Sequence, residues 1–445
     1  MNNKETKREL MEDESVPKAL IKLGIPTMVG MMTSALYNLV DTYFVGTLGT
    51  TQVAAVSVAF PISLLFLAIG LLFGSGASSY LARHLGNKEY DECNKCFSTT
   101  IILSVAAAVI FAVLMFIMLN PLLSFLGATE KVLPYARSYS IIFIIGLIFN
   151  VFNIAVNNMI ISEGASRISM ISMLAGGLTN VVLDPVFILV FHKGVAGAAM
   201  ATLISRILTL GIYLVYMMSG TSNFRFSFRN FKWDKKLLSE IFKIGIPMLL
   251  YQLLCSLAIS LTNYKAKIYG ESVVAGIGVA NRILSLGSMM LTGFLKGYQP
   301  FVGYNFGAKK YDRARKATHL ALKWSTAFCI IVCVGLIIFG KQFIGFFTKT
   351  DTEMINIGSR YLFLNAISFV GFGVAMVYDF MFLALGRAKE GGILSISRQG
   401  IFFIPLICIL PTIMGLNGVL CAQLVSDLLT FVLVFKLIYH KNYLK

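Results

Sequence analysis

Two aspartates fall inside segments that are otherwise apolar: Asp41 in Tyr37-Asn38-Leu39-Val40-Asp41-Thr42-Tyr43, and Asp184 in Asn180-Val181-Val182-Leu183-Asp184-Pro185. An aspartate deep in a membrane span costs about 2.5–3.5 kcal/mol, so it needs a partner or a water-filled cavity. Asn180 and Asp184 are four residues apart and share a helix face. Pro185 has no N–H to give to the carbonyl of Val181, so the helix can bend there and free an oxygen. At about 1.5 Å per residue, Asp41 and Asp184 come to similar depths in outward-running spans. Thr202, early in an inward-running span, reaches the same level. Two carboxylates, an amide, a hydroxyl and a loose carbonyl make an oxygen-rich nest. It suits a hard cation such as Na⁺, or a proton shared by the two acids.

A second polar pattern lies nearby in the sequence. Tyr139, Asn150, Asn153 and Asn157 fall on one face of an apolar segment. Such a stripe lines a cavity or meets a neighbouring helix. Tyr139, Asn153 and Asn157 are candidate cavity-lining residues, and so is Tyr37 in the first apolar segment. Pro26 and Pro185 are candidate bending points, with Pro247 the counterpart of Pro26. Glu163-Gly164 reads as a turn with a loop acid.

The elements that must hold these residues are membrane helices. The chain has 445 residues, is 57% hydrophobic, carries 13% charged residues and has a mean hydropathy of +0.78. A soluble chain carries about 25% charged residues. Apolar runs of about 20 residues recur throughout, each long enough to cross a bilayer. The expected fold is an all-α polytopic membrane protein. Twelve spans are expected: 19–45, 53–80, 97–119, 135–158, 168–191 and 195–218, then 240–267, 273–302, 318–339, 354–385, 392–411 and 416–437. A basic linker, 219–239, separates two units, 1–218 and 240–445. Residues 1–17 lack the pattern of a cleaved signal peptide, so the first span is expected to act as its own insertion signal.

The net charge of +17 does not point to nucleic acid, because Lys and Arg concentrate in alternate loops. Arg83, Lys88, Lys95, Arg167, the linker cluster, Lys309 to Lys316, Arg387 and Lys389 lie on one side. Little beyond Lys131, Lys193, Lys341 and Lys349 lies on the other. Both termini are expected in the cytoplasm, with the protein in the cell membrane. There is no phosphate-binding loop, no H-E-x-x-H and no G-x-S-x-G, which argues against an enzyme. The seven cysteines lack the paired spacing of a zinc site. Cys93-x-x-Cys96 falls in what reads as a cytoplasmic loop. No cofactor is expected beyond a coupling ion.

The chain repeats itself. Ile21-Lys22-Leu23-Gly24-Ile25-Pro26 is echoed by Phe242-Lys243-Ile244-Gly245-Ile246-Pro247, and Leu85-Gly86-Asn87-Lys88 by Phe306-Gly307-Ala308-Lys309. The offset is 221 residues in each case (245 − 24 and 307 − 86). An even number of spans per copy makes these parallel repeats about an axis near the membrane normal, a transporter design. The second copy is less acidic. Thr262 stands where Asp41 would fall, and Asp379 and Asp427 are expected to pair with Arg282, Lys296 or Arg398 in structural bridges.

With Gly-x-Pro opening each half, Asp41 in the first helix, Glu163-Gly164 before the fifth and Asn180…Leu183-Asp184-Pro185 within it, the chain resembles the multidrug and toxic compound extrusion (MATE) transporters over nearly its full length. The resemblance implies two six-helix bundles related by pseudo-two-fold symmetry. It implies export of amphipathic, often cationic drugs in exchange for inward Na⁺ or H⁺. Its cation site maps onto Asp41, Asn180, Asp184 and Thr202, with Tyr139 and Asn157 nearby. Many members carry a Glu in the seventh helix where this chain has Cys255, which counts against a second-lobe site of that type. A lipid-linked oligosaccharide flippase of the same superfamily is the alternative, and a channel or receptor without coupled transport a third. The default oligomeric state is a monomer.

Overall fold

A computed structural model describes residues 3–348 and 351–439. Lys349 and the chain beyond residue 439 lie outside the described residues. Twelve helices among these residues are long and apolar enough to cross a membrane. In chain order they are α2 (Val16–Gly46), α3 (Thr50–Gly86), α4 (Tyr90–Ile117), α6 (Leu133–Ser162), α7 (Ser166–Pro185) and α8 (Gly194–Met218). The second set is α9 (Lys235–Lys267), α10 (Glu271–Gly307), α11 (Tyr311–Gly345), α12 (Thr352–Ala384), α13 with α14 (Ala388–Ile396, Phe403–Met414) and α15 (Leu416–Tyr439). Two short helices, α1 (Asn3–Glu12) and α5 (Leu119–Phe125), complete the set.

Several helices are longer than the apolar runs that mark them. Arg83 falls within α3, and Cys93 and Cys96 lie inside α4, both fully buried, not in a loop. Arg313, Arg315 and Lys316 belong to α11. These ends stay helical because they pack on one another. Gly86 and Gly307 occupy symmetry-related positions at the meeting of α3 and α10. A side-chain carbon at Gly86 would come within 2.1 Å of the Tyr304 carbonyl oxygen, and one at Gly307 within 2.0 Å of the Arg83 carbonyl oxygen. The same reciprocity holds one crossing further in. A carbon at Gly76 would meet the Ile241 carbonyl oxygen at 2.2 Å, and one at Gly297, its counterpart in the repeat, the Leu23 carbonyl oxygen at 2.5 Å. Only glycine lets backbones approach this closely.

The turns repeat as well. Backbones with positive φ occur at Gly49 and Gly270, at Lys88 and Lys309, and at Gly194 and Gly415, each pair separated by the repeat offset. The two halves thus share turn geometry as well as sequence echoes, and they meet through α2 on α10 and α3 on α9 and α10. At the same end α1 touches both halves. Lys7 Nζ lies 3.4 Å from Glu163 Oε2, donates at 2.5 Å to the Tyr216 hydroxyl and at 2.8 Å to the Thr221 carbonyl. A few residues on, Tyr304 donates to Glu12 at 3.2 Å, Asn305 to the Met11 carbonyl at 3.2 Å, and Arg313 to the Glu14 carbonyl at 2.8 Å. Glu163 lies in the turn after α6, as expected, but it is not a solvated loop acid. It is buried, and it accepts from Tyr216 (2.5 Å), Ser222 (2.9 Å) and the backbone N–H of Asn223 (2.5 Å). The linker is pinned rather than free, with Phe224 buried against Phe97 and the Ser98 hydroxyl bonded to the backbone of Arg225 and Ser227.

The outer surface is apolar. Phe125, Phe346 and Met218 are each about 85–87% exposed, which is affordable in lipid and costly in water.

Candidate functional site in the first half

Four helices converge on the two aspartates, and each brings residues four apart on one face. These are Tyr37 and Asp41 on α2, Asn180 and Asp184 on α7, Thr202 and Arg206 on α8, and Tyr139 with Phe143 on α6. The convergence depends on Gly176-Gly177 in α7. A carbon at Gly176 would fall 2.3 Å from Thr209 Oγ1 of α8, and one at Gly177 would fall 2.9 Å from Thr33 Cγ2 of α2. Bare backbone on both sides lets α7 wedge between α2 and α8. Asp184 is fully buried and its carboxyl lies within hydrogen-bond reach of that of Asp41.

The polar groups are ordered but not satisfied. Asn180 Nδ2 reaches Asp184 Oδ1 at 3.4 Å and Thr202 Oγ1 at 3.5 Å. The Thr202 hydroxyl spends its hydrogen on the Ala198 carbonyl at 3.0 Å, which leaves its oxygen as an acceptor toward the site. Asp41 Oδ1, Asn180 Oδ1 and Asp184 Oδ2 are buried with no hydrogen-bond donor, and so is Asn153 Oδ1 on the neighbouring face of α6. Buried acceptors left unmet cost about 1–3 kcal/mol each. Two adjacent carboxyls without a donor between them call for a proton or a cation. The donor set, all hard oxygens, fits Na⁺ by type.

Pro185 ends α7, and the chain widens into a π-helical stretch, Val186–Val190, as a proline that removes a helix bond allows. Pro26 is buried within a continuous α2. Tyr139 is buried and stacks near Phe143, with ring centroids 4.8 Å apart. Asn157 donates to Tyr213 at 2.6 Å and to Ser169 at 2.8 Å, so its amide ties α6 to α7 and α8. Asn153 donates to the Arg206 carbonyl at 2.9 Å.

One charged residue of this site lies outside the sequence motifs. Arg206 sits on α8 four residues after Thr202, with its guanidinium carbon 5.1 Å from the Phe143 ring centroid and its field felt by Tyr37, Tyr139 and Asp41. Its signal was in the sequence: it is the single charge between Lys193 and Arg225.

The second half is built differently. Asp427 accepts from Arg398 Nε at 2.8 Å, from Ser368 at 2.8 Å and from Gln423 at 2.8 Å. The expected bridge exists there. Asp379 departs from the expectation, since it accepts from Ser395 at 2.8 Å and has no cation within 4.0 Å among the described residues. Arg282 and Lys296 likewise form no ion pair there. A packed pair of buried helices satisfies one acid with a charge and the other with a hydroxyl.

Fold and site together define a multi-pass membrane protein with a cluster of buried polar groups in its first half. A family model described as MatE matches residues 26–186 and again 247–409. The chain belongs to the MatE family. It is 28% identical over 430 residues to the multidrug export protein MepA of Staphylococcus aureus, covering 96% of this chain and 94% of that one. Among solved structures it matches an outward-facing multidrug resistance MATE transporter of the MOP superfamily, with a TM-score of 0.90, 27% identity and 96% of each chain covered. It matches equally a MOP superfamily transporter from Pyrococcus furiosus, described with a binding pocket of reverse polarity suggesting a different function, at a TM-score of 0.90, 27% identity and 96% of each chain.

Proposed function

We propose that this protein is a cation-coupled multidrug exporter, moving amphipathic compounds out of the cell in exchange for inward Na⁺ or H⁺. The observation that carries the reading is the cluster of donorless oxygens on Asp41, Asn180 and Asp184, beside the Thr202 hydroxyl. In this reading a cation or proton between the two acids favours one arrangement of α2, α7 and α8. Drug binding favours another, and the difference in affinity couples them. The π-helical stretch after Pro185 and the proline of α2 supply bending points. The units 1–218 and 240–445 act as two lobes joined by the linker 219–239, with both termini cytoplasmic and the monomer as the working unit. Alternating access would open and close the glycine crossings between them. The relatives named for multidrug export support the substrate class.

The acid pair stands against the flippase alternative, since a pyrophosphate-linked lipid would want a basic chamber. Efflux of ethidium from proteoliposomes under an imposed Na⁺ gradient, and separately a pH gradient, tests the proposal. Driven efflux that disappears in Asp41→Asn is expected and names the ion. Full efflux in that variant would sink it.

A further inference from the structure

Arg206 is an intramembrane cation with nothing to hold. Its Nη1 is buried and has no hydrogen-bond partner, and its side chain makes no ion pair within 4.0 Å among the described residues. Nη1 lies against Gly146 of α6, at 3.4 Å from where a side-chain carbon would stand, in ordinary contact with that helix. Phe143 supplies a ring face beneath it. Asp41, the nearest candidate counter-ion, feels the field of Arg206 but forms no ion pair with it within 4.0 Å. An arginine inside the membrane is costly, and such residues mark substrate or ion paths.

The repeat sharpens the contrast. The residue 221 positions after Arg206 is Asp427, an acid that is fully met by Arg398, Ser368 and Gln423. Arg398 also stacks on Phe372, with its guanidinium carbon 4.0 Å from the ring centroid. In the second half the charge at this place is closed off within the protein. In the first half it is a planar fork of donors left half-buried on an aromatic floor. That shape matches a carboxylate or similar planar oxyanion, bidentate where both nitrogens reach it. Travel from Thr202 to Arg206 goes one turn inward on α8, as travel from Asp41 back to Tyr37 does on α2. Arg206 therefore stands one turn deeper along α8 than Thr202, at the level of Tyr37, and its field still reaches Asp41.

We infer that Arg206 docks the oxyanion of the transported molecule, so that the first-half site takes amphipathic compounds carrying a carboxylate, zwitterions among them, in preference to simple lipophilic cations. The inference rests on the exporter reading for its link to transport, but binding tests it separately. The probes are a xanthene dye with a free carboxylate and its methyl ester, identical otherwise. Their dissociation constants are measured by fluorescence on purified wild type, Arg206→Gln and Arg206→Lys, each checked by size exclusion. Efflux of both dyes from proteoliposomes is measured alongside.

Wild type is expected to bind the acid dye more tightly than the ester. Arg206→Gln should shift the ratio of the two constants by about tenfold or more, the worth of a charge-assisted hydrogen bond. Arg206→Lys should restore part of it, as a point charge without the fork. An unchanged ratio in Arg206→Gln would overturn the inference, as would wild type binding only the ester. Displacement of the acid dye by an anionic phospholipid, with no efflux of the acid dye, would assign the guanidinium to a lipid headgroup and also overturn it. If neither dye moves under any gradient but the binding ratio still shifts, the oxyanion site stands and the exporter reading fails.

Discussion

Asp184 has no exposed surface and one carboxylate oxygen without a donor. Asp184→Asn removes the negative charge and places an N–H₂ where the ion would sit, so gradient-driven efflux should be lost with the fold retained. Asn180→Ala acts more mildly. It removes one oxygen of the set and the donor that fixes Thr202, and should raise the ion concentration needed for half-maximal efflux by about tenfold. Efflux titrated against Na⁺ or pH reads both; an Asn180→Ala curve lying on that of wild type would remove Asn180 from the site. Lys7 and Glu163 allow a stability test of the same kind. Lys7→Met strands a buried carboxylate that keeps only neutral donors, at a cost of about 3 kcal/mol. The expected result is a lowered Tm in detergent, largely recovered when Glu163→Gln is added, because the two losses share one interaction.

At the scale of the element, glycines decide which helices can touch. Gly177 sets the distance between α2 and α7, and Thr33 Cγ2 stands 2.9 Å from where its Cβ would be. Gly177→Val should push α2 away and separate Asp41 from Asp184, abolishing driven efflux while the chain still inserts. Ordinary coupling in that variant would show that the two acids need not be neighbours. The extended ends of α3 and α10 follow the same logic. They carry polar and charged residues that no apolar run would mark as helix, yet they stay helical because Gly86 and Gly307 let their backbones meet.

For the whole molecule, the two halves are held at one end by these crossings and by α1, which bonds Glu163 and Tyr216 in one half and, through Glu12 and the Met11 carbonyl, Tyr304, Asn305 and Arg313 in the other. Deleting residues through Glu12 removes ties on both sides at once. A cysteine placed at the buried Ala82, against Gly303, should then react faster with a membrane-impermeant maleimide than it does in the full chain. Equal rates would mean that the crossings alone keep this end shut.

The sequence by itself determined the helical membrane fold, the number of spans and the internal repeat, and it singled out Asp41, Asn180, Asp184 and Thr202 as candidates that the fold then brings close together. Each of these is a one-dimensional signal: apolar run length, a fixed offset, an acid where acids are costly. The span ends were underestimated, because helices held together by packing of polar, glycine-containing ends leave no hydropathy trace. Glu163 read as a loop acid because the cation that meets it, Lys7, is more than 150 residues away in the chain. Arg206 was visible as a lone charge, but its meaning was not. Only tertiary structure decides that Asp427 finds Arg398 in one half while the arginine at the matching place in the other forms no ion pair among the described residues. Pairing depends on which helices approach, and here that was set by glycines whose effect is felt across the bundle.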